Sequence, residues 1–180
     1  MEGFQTGGVY GQSKPREVYI PLRGRTLTFV GGSIHFAPTW MPSFNLTEYP
    51  VVEDPGPNDY HFPIDDGGVP NHPEFRSNLL TMLDLAWNGR PVYVGCEYGI
   101  GRTGLVLAGL GLVAKQTDLA LFARVSREDV LDVIRALRRN YHPGAVETLT
   151  QASFLSEHNF WWTGVLASRI KEYHRAASGT

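Results

Sequence analysis

A single cysteine stands in the 180 residues, so no disulfide can form within the chain, and the class of small domains stapled by such cross-links is excluded. No apolar run reaches the length of a membrane span, and nothing near Met1 has the pattern of a signal peptide. A reducing, cytoplasmic setting with no membrane partner is the expectation. Neither sign of charge is in surplus: Lys and Arg number 16, Asp and Glu 18, and the net charge is -2. That balance argues against a strongly basic nucleic-acid binder, although Arg135, Arg138 and Arg139 could form a local basic surface. The histidines are scattered, with no pair on one predicted helix face and no cysteine partner at zinc-site spacing. Neither a metal site nor an organic cofactor is expected.

What is present is enough apolar material, 42% of the residues, to bury one sizeable core and too little length for two ordinary domains. Residues 1–15, rich in Gly, Gln and Ser, read as a flexible leader, and residues 16–180 as one domain, expected to be a monomer. Val18-Tyr19-Ile20 and Leu27-Thr28-Phe29-Val30 predict two strands joined by a tight turn. The proline-rich stretch 38–63 predicts loop, with a short extended piece at Val51 and Val52. Asn71 followed by Pro73 caps a helix whose apolar residues Phe75, Leu79, Leu80, Leu83 and Ala86 recur until Gly89. Pro91-Val92-Tyr93-Val94 reads as a buried strand, and Leu105 to Val113 as a helix apolar on every face. Ser126 and Asp129 form a capping box ahead of another helix ending near Asn140, and 147–176 predicts helix with a break at Gly164. The fold class is thus α/β, a small, mostly parallel sheet flanked by helices.

The informative segment lies between the buried strand and the apolar helix: Cys96-Glu97-Tyr98-Gly99-Ile100-Gly101-Arg102-Thr103-Gly104. A glycine-rich turn from a strand into a helix aims several main-chain N–H groups at one point, where the helix dipole adds positive charge. Such a cradle suits a phosphate dianion, and the same field stabilises a thiolate at Cys96. Arg102 could lay its planar fork on two phosphate oxygens, which Lys cannot do. The glycines at 99, 101 and 104 also fit the dinucleotide-binding fingerprint, but Asp118, near the distance at which that fingerprint needs an acid, follows no strand-like run.

This segment resembles the signature of the cysteine-dependent protein tyrosine phosphatases, Cys, five residues, Arg, then Ser or Thr. The resemblance implies that Cys96 forms a phosphocysteine, that the amides of Glu97, Tyr98, Gly99, Ile100, Gly101 and Arg102 hold the phosphoryl oxygens, and that Arg102 stabilises the transition state. Thr103 would hydrogen-bond the departing thiolate. Phe62-Pro63-Ile64-Asp65-Asp66-Gly67-Gly68-Val69-Pro70 is similar to the family's mobile general-acid loop, which makes Asp66 the acid and Asp65 the alternative. The segment from Ala145 to Leu155 is similar to the one where larger members place glutamines that position the hydrolytic water. Gln151 matches the later glutamine, and Glu147 stands where the earlier one usually lies. The size and the order of the motifs look like the compact dual-specificity group, implying a phosphorylated protein or a small phosphomonoester as substrate.

Two departures qualify the resemblance. The family usually has His before the cysteine, and here Gly95 stands in its place. That leaves open a catalytically weak member that binds phosphorylated partners without turning them over. Glu97, Tyr98 and Ile100 also stand where phosphoinositide-directed members carry Lys, which argues against multiply phosphorylated lipid headgroups.

Overall fold

Residues 11–50, 56–118, 125–160 and 162–177 are described by the computed structural model. The expected extended piece at Val51 and Val52 and residues 1–10 of the expected leader lie outside them. The strands are β1 (Arg16–Leu22), β2 (Arg25–Ser33), β3 (Ser43–Asn45), β4 (Asp59–His61) and, after the helix α1 (His72–Trp87), β5 (Val92–Cys96). The remaining helices are α2 (Gly101–Asp118), α3 (Arg127–Asn140), α4 (Leu149–Glu157) and α5 (Thr163–Ala177). The sheet runs β1-β2-β5-β3-β4, antiparallel only between β1 and β2, so this is the α/β, mostly parallel architecture expected from the sequence.

Every residue of β5 is buried, as the continuous apolar run predicts for a central parallel strand. The first hairpin turns at Arg23 and Gly24, both at positive φ, a pair that matches the right-handed twist of the flanking strands. Asn71 caps α1 by accepting from the Glu74 N–H, and Ser126 and Asp129 form the expected capping box at the start of α3. Helix α2 has its residues Leu105 to Ala108 fully buried and contacts α3, α4, α5 and the sheet, which accounts for its lack of a polar face.

Two expectations need correcting. The stretch 38–63 is not all loop, because β3 and β4 form within it and pair in parallel with each other, β3 also with β5. Stacking of Phe44 on Tyr60, 4.5 Å between ring centroids, holds these three-residue strands together. The helical stretch after 147 divides into α4, which ends at Glu157, and α5, which starts at Thr163, so no break falls at Gly164, which lies within the first turn of α5. His158 is the C-cap of α4.

The parallel strands bring their carboxyl ends to one edge of the sheet, and the hydrogen-bond ladder continues past them. Leu46 N–H donates to Gly95 O (2.8 Å), and Ile64 N–H donates to Leu46 O (3.2 Å). Leu46 therefore lies beside the chain that delivers Cys96, and residues 62–64 run along the far side of Asn45 and Leu46.

Candidate active site

Cys96 ends β5 and is buried, with its N–H donating to Thr103 Oγ1 at 3.0 Å. The Thr103 hydroxyl in turn donates to Cys96 Sγ at 3.3 Å, so the sulfur faces a hydrogen-bond donor from the first turn of α2. Between them the chain curls through Gly99 at φ 71, where a Cβ would come within 2.3 Å of main-chain atoms of Gly32 and Ser33. Only glycine fits that crossing.

The shape of the curl is imposed from outside. Three consecutive carbonyls are held on its outer side: Ser33 Oγ donates to Glu97 O (2.6 Å), Ser13 N–H to Tyr98 O (2.8 Å), and the Tyr141 hydroxyl to Gly99 O. Pulling these carbonyls outward turns the intervening N–H groups inward, and among the described residues no protein acceptor pairs with the N–H of Glu97, Tyr98, Gly99 or Ile100. With the free N–H groups at the start of α2, they make a concavity suited to an anion. Tyr141 and Tyr93 both have phenol pKa values pushed up, first by burial and then by negative charge at Cys96, so they stay neutral donors. Tyr93 donates to Ser33 O at 2.7 Å and steadies the same crossing.

Arg102 follows one residue into α2 and is only 6% exposed. Its Nη1 donates to Ile64 O at 2.9 Å and reaches Leu46 O at 3.5 Å, while Nη2 lies 3.2 Å from Asp66 Oδ1. The two carbonyls aim the guanidinium, and the Asp66 carboxylate, 77% exposed, meets it from the solvent side. Cys96, Arg102, Thr103 and Asp66 are thus brought together. Asp65 is exposed, and its carbonyl accepts from Gly68 N–H in the turn.

Gln151 is fully buried near by, its Oε1 accepting from Glu147 N–H (2.8 Å) and Thr148 N–H (3.4 Å) and its Nε2 donating to Gly68 O (3.4 Å). Glu147 lies over the mouth of α2, where a Cβ on Gly101 would meet its Oε2 at 2.6 Å. The chain reaches that position through Val146 at φ 56, unusual for a β-branched residue and worth roughly 1–3 kcal/mol of strain. Arg138, read from sequence as surface charge, donates to the carbonyls of Ala145 (3.1 Å) and Val146 (2.9 Å) and holds that bend.

Sequence reasoning missed Ser13, Ser33, Tyr141, Thr148 and Glu48, whose Oε1 accepts the Asp66 N–H at 3.2 Å. Thr148 carries a local signal only as the cap of α4, in the capping box it forms with Gln151; the other four carry none, because each acts on a segment distant in the chain. The departure at Gly95 also acquires a cause: a Cβ there would lie 2.9 Å from Ile34 Cα and 3.0 Å from Ile34 N. The backbone after β2 occupies the space that a side chain at 95 would need.

The family model described as protein-tyrosine phosphatase matches residues 58–159, which include Asp66, the cysteine loop and Gln151. The chain belongs to the protein-tyrosine phosphatase family. Its similarity extends to cyclin-dependent kinase inhibitor 3 of Homo sapiens, 34% identical over 113 residues, covering 61% of this chain and 47% of that protein. The Rattus norvegicus protein of the same name is 31% identical over 113 residues, with the same coverage. The chain spans about half the length of these curated relatives. Among solved structures, its fold is similar to a kinase associated phosphatase carrying Ser in place of the catalytic site cysteine, with a TM-score of 0.55 at 19% identity, covering 79% of this chain and 93% of that one. A protein tyrosine phosphatase chain from Leishmania major gives a TM-score of 0.53 at 18% identity, covering 82% and 98%. Both likenesses support the dual-specificity and tyrosine phosphatase fold. Among the described residues no helix is long and apolar enough to cross a membrane, and no group of three or more His, Cys, Asp or Glu could hold a metal ion.

Proposed function

We propose that this chain hydrolyses phosphomonoesters through a phosphocysteine intermediate. The observation that supports the reading is the pairing of Asp66 with Arg102, one residue before Thr103, whose hydroxyl faces the Cys96 sulfur, at the end of a loop whose amides at 97–100 have no protein acceptor among the described residues. The Cys96 thiolate attacks phosphorus in line with the ester oxygen. The amides and Arg102 hold the equatorial oxygens as charge spreads over them, and Asp66 gives its proton to the departing oxygen. Water then attacks the phosphocysteine as the Asp66 carboxylate takes its proton, inorganic phosphate leaves, and Thr103 donates its hydrogen bond to the released thiolate. No metal or organic cofactor enters these steps.

Residues 16–180 act as one domain, a monomer in a reducing compartment such as the cytoplasm, where Cys96 stays a free thiol. Similarity to a kinase associated phosphatase supports a phosphorylated protein as the substrate, with a small phosphomonoester as the alternative. A second reading, a member that binds phosphorylated partners with little turnover, draws on the missing His at 95 and on the Asp66 carboxylate, which a phosphate would have to displace from Arg102.

Turnover of a small aryl phosphate by the purified chain separates the two. Cys96→Ser is expected to abolish release of inorganic phosphate while phosphate still binds. A variant that keeps near wild-type turnover in chelator would sink the phosphocysteine mechanism, and a wild-type chain that binds phosphate without releasing it from the ester would favour the second reading.

A further inference from the structure

Capping α4 requires less than Thr148 and Gln151 supply. The cap uses acceptors: Thr148 Oγ1 takes the Gln151 N–H (3.1 Å), and Gln151 Oε1 takes the N–H groups of Glu147 and Thr148. The donors of both side chains are left over, and they go to consecutive carbonyls of the segment bearing Asp66. The Thr148 hydroxyl donates to Gly67 O at 3.1 Å, and Gln151 Nε2 donates to Gly68 O at 3.4 Å. From the other side Glu48, in the β3–β4 connection, accepts the Asp66 N–H on Oε1 at 3.2 Å.

This grip falls where the chain most needs one. Gly67, at φ 67, and Gly68 give the turn wide conformational freedom, and the exposed Asp66 side chain has no packing to hold it. A general acid works only within hydrogen-bond reach of the oxygen it protonates. Once a phosphate displaces the Asp66 carboxylate from Arg102, its aim must come from the backbone that carries it.

We propose that Glu48, Thr148 and Gln151 are positioning residues that fix the Asp66 carboxyl over the phosphate loop by gripping the backbone of residues 66–68. Gln151 then serves the proton-donating step, since both lone pairs of its carbonyl oxygen are already engaged by main-chain N–H groups. The proposal rests on the reading of Asp66 as the general acid.

The test compares kcat/KM for nitrophenyl phosphate, whose leaving group needs little protonation, with that for phenyl phosphate, whose leaving group needs much. In Thr148→Val and in Glu48→Ala the ratio of the two is expected to rise about tenfold, a loss in line with a small misplacement of a reacting group. Thr148→Ser and Glu48→Gln, which keep the donor and the acceptor, return it toward the wild-type ratio. Asp66→Asn raises it further, and adding Thr148→Val to Asp66→Asn raises it no more. Glu48→Ala leaves the α4 cap intact, so a folding defect in Thr148→Val, read from its thermal melt, does not decide the matter. The proposal is overturned if the clamp variants lower both substrates in equal proportion, or if the double variant multiplies the two effects. Should Asp66→Asn itself leave the ratio unchanged, the acid assignment fails first and the clamp falls with it.

Discussion

Restoring the residue that the family usually carries before its cysteine is expected to damage this protein. An added Cβ at position 95 sits 2.9 Å from Ile34 Cα, 3.0 Å from Ile34 N and 3.0 Å from Tyr93 Cε1, whereas carbon atoms pack best at about 3.5 to 4.0 Å. Half an ångström or more must be found, and the neighbours are poorly able to yield. The Ser33 N–H is bound to Ser13 O, its carbonyl to the Tyr93 hydroxyl and its side chain to Glu97 O. Overpacking of this kind costs about 1 to 3 kcal/mol, of which a lower unfolded-state entropy for Ala over Gly recovers roughly 0.4 to 1. Gly95→Ala should therefore lose on the order of 1 to 2 kcal/mol, and Gly95→His, with a ring to place as well, more. Urea unfolding reads this as a midpoint lower by roughly 0.5 to 1 M. Because the displaced Ser33 also shapes the phosphate loop, kcat/KM on an aryl phosphate should fall together with stability. A Gly95→His protein as stable as wild type, and as active or more so, would refute the reasoning.

The other predictions test neighbouring parts of the same site. Gly99→Ala combines a positive φ with main-chain overlap and should abolish phosphate binding as well as turnover, measured by calorimetry and by phosphate release. Arg102→Lys keeps the charge but loses the fork aimed by Ile64 O and Leu46 O. kcat/KM should drop roughly ten- to a hundredfold, the worth of one charge-assisted bond of about 1.5 to 3 kcal/mol, and a drop of less than twofold would remove Arg102 from the clamp role. His158, whose pKa is lowered to about 4 by burial first and then by His72 and Arg76, binds its proton more readily unfolded than folded. Stability should thus be full above the ordinary histidine value near 6.5 and fall as pH drops from there toward 4, by roughly 2 kcal/mol after solvent screening. Urea midpoints across that range, steeper in wild type than in His158→Asn, check it.

The parts of this fold that could be read from sequence are those whose signals are local. Asn71 and the Ser126–Asp129 pair cap helices within one turn of themselves, and the apolar run of β5 followed by glycines announces strand, loop and helix in nine or so positions. The short strands β3 and β4 were hidden because Ser43, Asn45, Asp59 and His61 have little intrinsic preference for a strand, and the ladder to β5 supplies the order. The reason for Gly95 was equally out of reach, since it lies in the path of Ile34. Glu48 looks like an ordinary polar loop residue, and Thr148 like a helix cap alone, until the turn at Gly67 is placed between them.

The tethering of the Glu97, Tyr98 and Gly99 carbonyls by Ser33, Ser13 and Tyr141 bears on any attempt at transplantation. A synthetic peptide spanning the cysteine-to-arginine signature, or that signature grafted onto a foreign strand and helix, would carry the right letters and fold into the wrong contour. A working graft has to bring along three outriggers from residues 13, 33 and 141, which makes the smallest transferable unit nearly the whole domain.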